Sequence, residues 1–149
     1  MHSDRLERLQ DALRRENISC LALLPGPDLR YLTGFNFHLM ERPTVGFFPA
    51  EGYPVFVLPA LEMPAYESGV SFEARVYPWA DGEGPEAALW EAFGALPEVR
   101  TLAVPYLGMR VHELKLIQRH VPNATLVDGH PVLDSLRLLK DELEVGNIS

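Results

Sequence analysis

The sequence predicts an α/β domain built on a mixed β-sheet flanked by helices on both faces. Short apolar runs alternate with amphipathic helical segments from Pro85 onward, which implies parallel pairing through crossovers. Thr44–Phe48 and Pro54–Leu58 are separated only by Pro49-Ala50-Glu51-Gly52-Tyr53, a spacing that suits a hairpin and demands antiparallel pairing. Ile18–Leu24 is apolar almost throughout, as in a strand covered on both sides. With 149 residues, 47% of them apolar, one domain can bury roughly 68–70% of its unfolded surface.

The elements follow in order. Ser3–Glu16 places Leu6, Leu9 and Leu13 on one helical face, with Asp4 and Glu7 at the spacing of a capping box. Ile18–Leu24 reads as a mid-sheet strand and feeds directly into Pro25-Gly26-Pro27-Asp28-Leu29-Arg30-Tyr31-Leu32-Thr33-Gly34-Phe35. There Pro27 can open a helical turn with its fixed φ, and Gly34 can end it in the left-handed region, which aims the chain beyond. After the hairpin, Leu61–Ser68 predicts a short helix stopped by Gly69, and Phe72–Tyr77 alternates as a strand. Asp81-Gly82-Glu83-Gly84 breaks the chain. Pro85 then stands at a first helical position ahead of a stripe of Leu89, Trp90, Phe93 and Leu96. Thr101–Val104 reads as a strand, Val111–His120 as a helix turning Leu114 and Ile117 inward, and Thr125–Asp128 as a last strand.

No repeat or low-complexity stretch divides the chain, so residues 1–139 are expected to form one domain. Asp141 and Glu144 then announce a new helix of which residues 140–149 are only the beginning. So short a piece, weakened by Gly146 and Asn147, falls below the ~12–15 residues an isolated helix needs. The pattern predicts that the chain is the first part of a longer protein.

Composition removes several classes of function. Thirteen basic against 21 acidic residues give a net charge of −8, and no basic patch suited to nucleic acid stands out. The single cysteine, Cys20, lies in an apolar run, so no internal disulfide or thiolate-rich metal site can form. No apolar stretch approaches the ~18 residues that span a bilayer, and the expected location is cytoplasmic. No phosphate-binding glycine motif and no nucleophile elbow is present.

The histidines His2, His38, His112, His120 and His130 form no HxH or HExxH spacing, and a native metal site is not expected. Asp28 and Glu62 lie on separate elements with nothing in the sequence to bring them together as acid and base; capping and solvation account for both. The segment Phe35-Asn36-Phe37-His38-Leu39-Met40-Glu41-Arg42 combines aromatics, an imidazole and charges with no core periodicity, which makes it the best functional candidate. In the competing reading, Phe35, Phe37 and Leu39 cover the sheet and the polar residues face water. Trp79 and Trp90 both read as core.

The charged opening helix, Tyr31-Leu32-Thr33-Gly34, the hairpin, Pro59-Ala60-Leu61-Glu62 and the run from Leu136 and Arg137 through Lys140 and Asp141 to Glu144 occur together in this order. In this the chain resembles, nearly end to end, the N-terminal domain of the creatinase/prolidase/aminopeptidase P family, the pita-bread enzymes. Tyr31-Leu32-Thr33-Gly34 and the run from Leu136 to Glu144, about 100 residues apart, carry the resemblance jointly. It implies a fold of ribonuclease H-like layering and a catalytically silent domain of a metal-dependent Xaa-Pro dipeptidase or aminopeptidase. It implies two divalent ions, manganese, cobalt or zinc, in a following C-terminal catalytic domain that activates water, and none of their ligands falls in this chain. It also implies a homodimer, a proline-containing peptide as substrate, and a loop in which Phe35, His38, Glu41 and Arg42 line the partner's active-site mouth. A peptide- or protein-binding module from a metal-free pseudo-peptidase, and a creatinase-type C–N hydrolase, remain as alternatives.

Overall fold

A computed structural model describes residues 2–137, so Lys140 and the expected helix start at 140–149 lie outside it. The elements run α1 (His2–Arg15), β1 (Cys20–Leu23), α2 (Pro27–Thr33), β2 (Val45–Pro49), β3 (Val55–Pro59), a 3-10 turn (Ala60–Glu62), α3 (Met63–Gly69), β4 (Arg75–Trp79), α4 (Glu86–Ala95), β5 (Thr101–Val104), α5 (Val111–Gln118) and β6 (Thr125–Asp128). Residues 130–137 are helical. The strands form one six-stranded mixed sheet in the order β4-β3-β2-β1-β5-β6. Only β2 runs against its neighbours; β1 with β5, β5 with β6 and β3 with β4 pair in parallel. The carboxyl ends of β1, β3, β4, β5 and β6 therefore share one end of the sheet with the entry to β2.

Strand alternation builds a core on each face. Leu21, Leu23, Phe48, Phe56, Leu58 and Ala103 point to one side, beneath α1, α2, α3 and helix 130–137. Cys20, Ala22, Val45, Phe47, Val55, Val57, Leu102 and Val104 point to the other, beneath α4 and α5. Burial pushes the Cys20 thiol up to about 12, so it packs as an inert apolar side chain.

Local chemistry sets the boundaries. α1 starts at His2, so Asp4 lies within its first turn and not at the cap that its spacing to Glu7 suggests; there it faces the positive end of the helix dipole. The turn after α1 closes at Asn17, whose φ of 57° is the left-handed conformation asparagine tolerates, with the Ile18 N–H donating to the Leu13 carbonyl at 2.9 Å. Pro85 takes the N-cap position one residue ahead of α4.

The last predicted strand of the first half is displaced. β4 covers Arg75–Trp79, because pairing with β3 in the register Val55↔Arg75 to Pro59↔Trp79 decides its extent over propensity. The Arg75 N–H donates to the Pro54 carbonyl at 2.9 Å, so alternate amides of this edge strand face β3 and the ring nitrogen of Pro78 faces outward, where no ladder bond is lost.

The tryptophans separate. Trp79 is buried and its indole N–H donates to the Pro43 carbonyl at 3.2 Å. Trp90 is 72% exposed, a correction to the core stripe. α4 faces the sheet through Ala88, Leu89 and Ala92, and Trp90 lies about 100° around the helix from Leu89, off that face.

Candidate functional site

The Tyr31-Leu32-Thr33-Gly34 motif is a joint in which each residue has a mechanical task. Leu32 is fully buried. The buried Thr33 hydroxyl donates to the Leu29 carbonyl at 2.7 Å and accepts the Phe35 N–H at 3.1 Å, closing the end of α2. Gly34 adopts φ 80° and its N–H donates to the Arg30 carbonyl at 2.8 Å, which turns the chain across the strand ends.

Two guanidiniums stand over the Tyr31 ring, Arg5 at 4.3 Å and Arg137 at 5.5 Å from its centroid. Arg5 also donates to the Tyr31 carbonyl at 2.6 Å, and Arg137 to Asp28 at 2.7 Å. The two motifs so distant in sequence thus meet at one point, and Asp28 is an ion-pair partner there, with Glu62 nearly buried on another element.

Beyond Gly34, residues 35–44 cross the end of the sheet. The Phe35 ring is 4% exposed and packs against Phe37, Phe56, Tyr66 and Phe72 at centroid distances of 4.9, 5.4, 5.3 and 5.9 Å. Phe35 is therefore an anchor at the base of the loop and does not present its side chain to a mouth. Asn36, His38, Leu39, Glu41 and Arg42 are exposed while Phe37 is buried. The covering reading holds for Phe35 and Phe37, whereas Leu39 stands 51% exposed beside the polar residues. A cleft lined by Pro27, Arg30, Tyr31, Asn36 and Phe37 opens beside the first turn of the loop.

The far limb is tied to neighbouring strand ends. Arg42 forms a two-pronged pair with Asp81 at 2.6 and 2.7 Å, and holds that carboxyl below its ordinary value. Trp79 holds the Pro43 carbonyl, and Arg110 donates to the Met40 carbonyl at 2.7 Å. Sequence reasoning missed Asp81, Arg110 and Glu113, because their roles depend on loops that only the sheet brings together. The Asp81 turn signal marked the place and not the partner.

Asp128 was legible only as the end of a strand. Its carboxylate accepts the backbone N–H groups of Tyr106 and His130, each at 3.1 Å, which hold it below the ordinary 3.8. A depressed carboxyl contributes stability that is complete above its unfolded value and is lost as pH falls through the folded one. Asp128→Asn should therefore melt lower than wild type at neutral pH and show a shallower loss of melting temperature below about pH 4, read by thermal melts from pH 7 to pH 2. A parallel acid limb in both proteins would refute this.

The remaining candidates do not converge. His112 is exposed, while His120 stacks on Phe93 at 5.3 Å and lies 3.7 Å from Glu86. Among the described residues no three His, Cys, Asp or Glu side chains come together as a metal would require. No helix among the described residues is long and apolar enough to cross a membrane.

The fold and site define a three-layer α/β domain with a tied loop across its strand ends. The model of the creatinase/prolidase N-terminal domain matches residues 5–139, and the chain belongs to that family. It is 30% identical to the probable dipeptidase PepE of Mycobacterium bovis over 97% of this chain, and spans 38% of that relative's length. The crystal structure of dipeptidase PepE from Mycobacterium ulcerans is similar at a TM-score of 0.75 and 30% identity, over 91% of this chain and 36% of that one. A proline dipeptidase structure from Streptococcus pneumoniae is similar at a TM-score of 0.78 and 25% identity, over 89% of this chain and 96% of that one.

Proposed function

We propose that the chain is the non-catalytic N-terminal domain of a metal-dependent Xaa-Pro dipeptidase, which pairs two subunits and sets the loop of His38, Glu41 and Arg42 at the partner's active-site mouth. The observation that supports this is the one-sided match: nearly all of this chain aligns, against 38% of a relative named as a probable dipeptidase. Hydrolysis of the bond preceding proline would belong to a C-terminal catalytic domain, where a pair of divalent ions supplies an activated water and polarises the scissile carbonyl. The 149-residue chain would contribute assembly and the wall of the pocket.

The test compares this chain with the longer protein that contains it, on an Xaa-Pro dipeptide with manganese or cobalt added. The expected result is metal-dependent turnover by the longer protein and none by the chain. Turnover by the chain alone would overturn the proposal.

A further inference from the structure

Arg110 and Glu113 belong to no motif, yet they meet the loop at its middle. Arg110 is the N-cap residue of α5 and Glu113 follows three positions on, in the first turn, where the helix dipole favours a carboxylate. Glu113 is fully buried. The Arg110 Nε donates to one of its oxygens at 3.0 Å, Nη2 donates to the other, and the same Nη2 reaches the Met40 carbonyl at 2.7 Å. A buried carboxylate stripped of its partner is strongly destabilising, so the guanidinium is held against Glu113, and Met40 is held with it. Between the buried Phe37 and the Asp81-paired Arg42, Met40 is where the backbone is fastened, and His38, Leu39 and Glu41 project around it.

We infer that Arg110 is a positioning residue that, with Glu113, fixes residues 38–41 as a preset wall and not as a lid that opens and closes. A wall already ordered binds a peptide without the entropic cost of ordering a loop. The kinetic consequence rests on the proposed place of the loop at the partner's mouth; the mechanical one does not.

Nitrogen-15 relaxation on the 149-residue chain tests the mechanical claim. Order parameters of Leu39, Met40 and Glu41 should be about 0.85 in wild type and fall below about 0.6 in the double variant R110M/E113L. That variant replaces the buried carboxylate and its half-buried guanidinium with apolar side chains, an exchange that proteins often accept without loss of stability when an ion pair is buried. Arg110→Lys keeps a charge against Glu113 but lacks the fork that also reaches Met40, and should likewise loosen the loop in a folded domain. Low order parameters in wild type, or unchanged ones in both variants, would overturn the inference. In the longer enzyme the double variant should raise KM about two- to tenfold with kcat retained. If relaxation changes as expected while KM does not, the placement of the loop at the mouth is what fails.

Discussion

Replacing Phe35 by alanine should lower the melting temperature of the chain by about 10 °C. The ring is 4% exposed and is the common neighbour of Phe37, Phe56, Tyr66 and Phe72. Truncating such a residue costs about 3–5 kcal/mol through lost burial and the cavity left behind. In a chain of this size each kcal/mol moves the midpoint by about 2–4 °C. His38→Ala, three residues on, removes an exposed side chain and should leave the midpoint within about 2 °C. In the longer enzyme, the proposed function requires the reverse order of effects on KM or kcat for His38. Thermal melts of both variants beside their kinetics decide it. A stable Phe35→Ala would show that the ring is not the anchor described, and a silent His38→Ala would remove the loop from the site.

Gly34→Val should be the next most damaging change, at about 2–3 kcal/mol. At φ 80° a side chain meets its own backbone, and a β-branched one has little rotameric escape. Space is lacking as well, since a Cβ built there would lie 2.8 Å from Cε1 of the His2 ring. The two causes can be separated with a double-mutant cycle, in which His2→Ala should recover part of the cost of Gly34→Ala but none of the backbone strain. Full recovery would mean that crowding alone explains the glycine.

Much of this domain could be read from local pattern. The β2–β3 hairpin, the α2 turn with its glycine stop, and the strands at Cys20, Thr101 and Thr125 all follow from apolar periodicity and turn chemistry acting over a few residues. Reading failed where distant partners decide. Phe72 and Ala74 pack against the core without joining a strand, because pairing with β3 moved β4 toward Trp79. Trp90 looked apolar enough to be buried, yet the face of α4 turned to the sheet belongs to Ala88, Leu89 and Ala92.

The candidate site divides the same way. Tyr31, Thr33 and Gly34 were conspicuous as a motif, but the reason for the remote Arg137 emerges only when its guanidinium is seen over the Tyr31 ring. Exposure of His38 and Glu41 was foreseeable from the missing periodicity. The Arg42–Asp81 and Arg110–Met40 ties were not, since they join residues 39 and 70 positions apart.

The outward-facing ring nitrogen of Pro78 bears on how copies of this domain can meet. A flanking strand that lacks an N–H on its free side is a poor template for another chain. Joining two sheets into a continuous one through β4 is thereby disfavoured, which leaves β6 as the other edge at which a strand could add. The same proline guards this edge against runaway strand-on-strand aggregation.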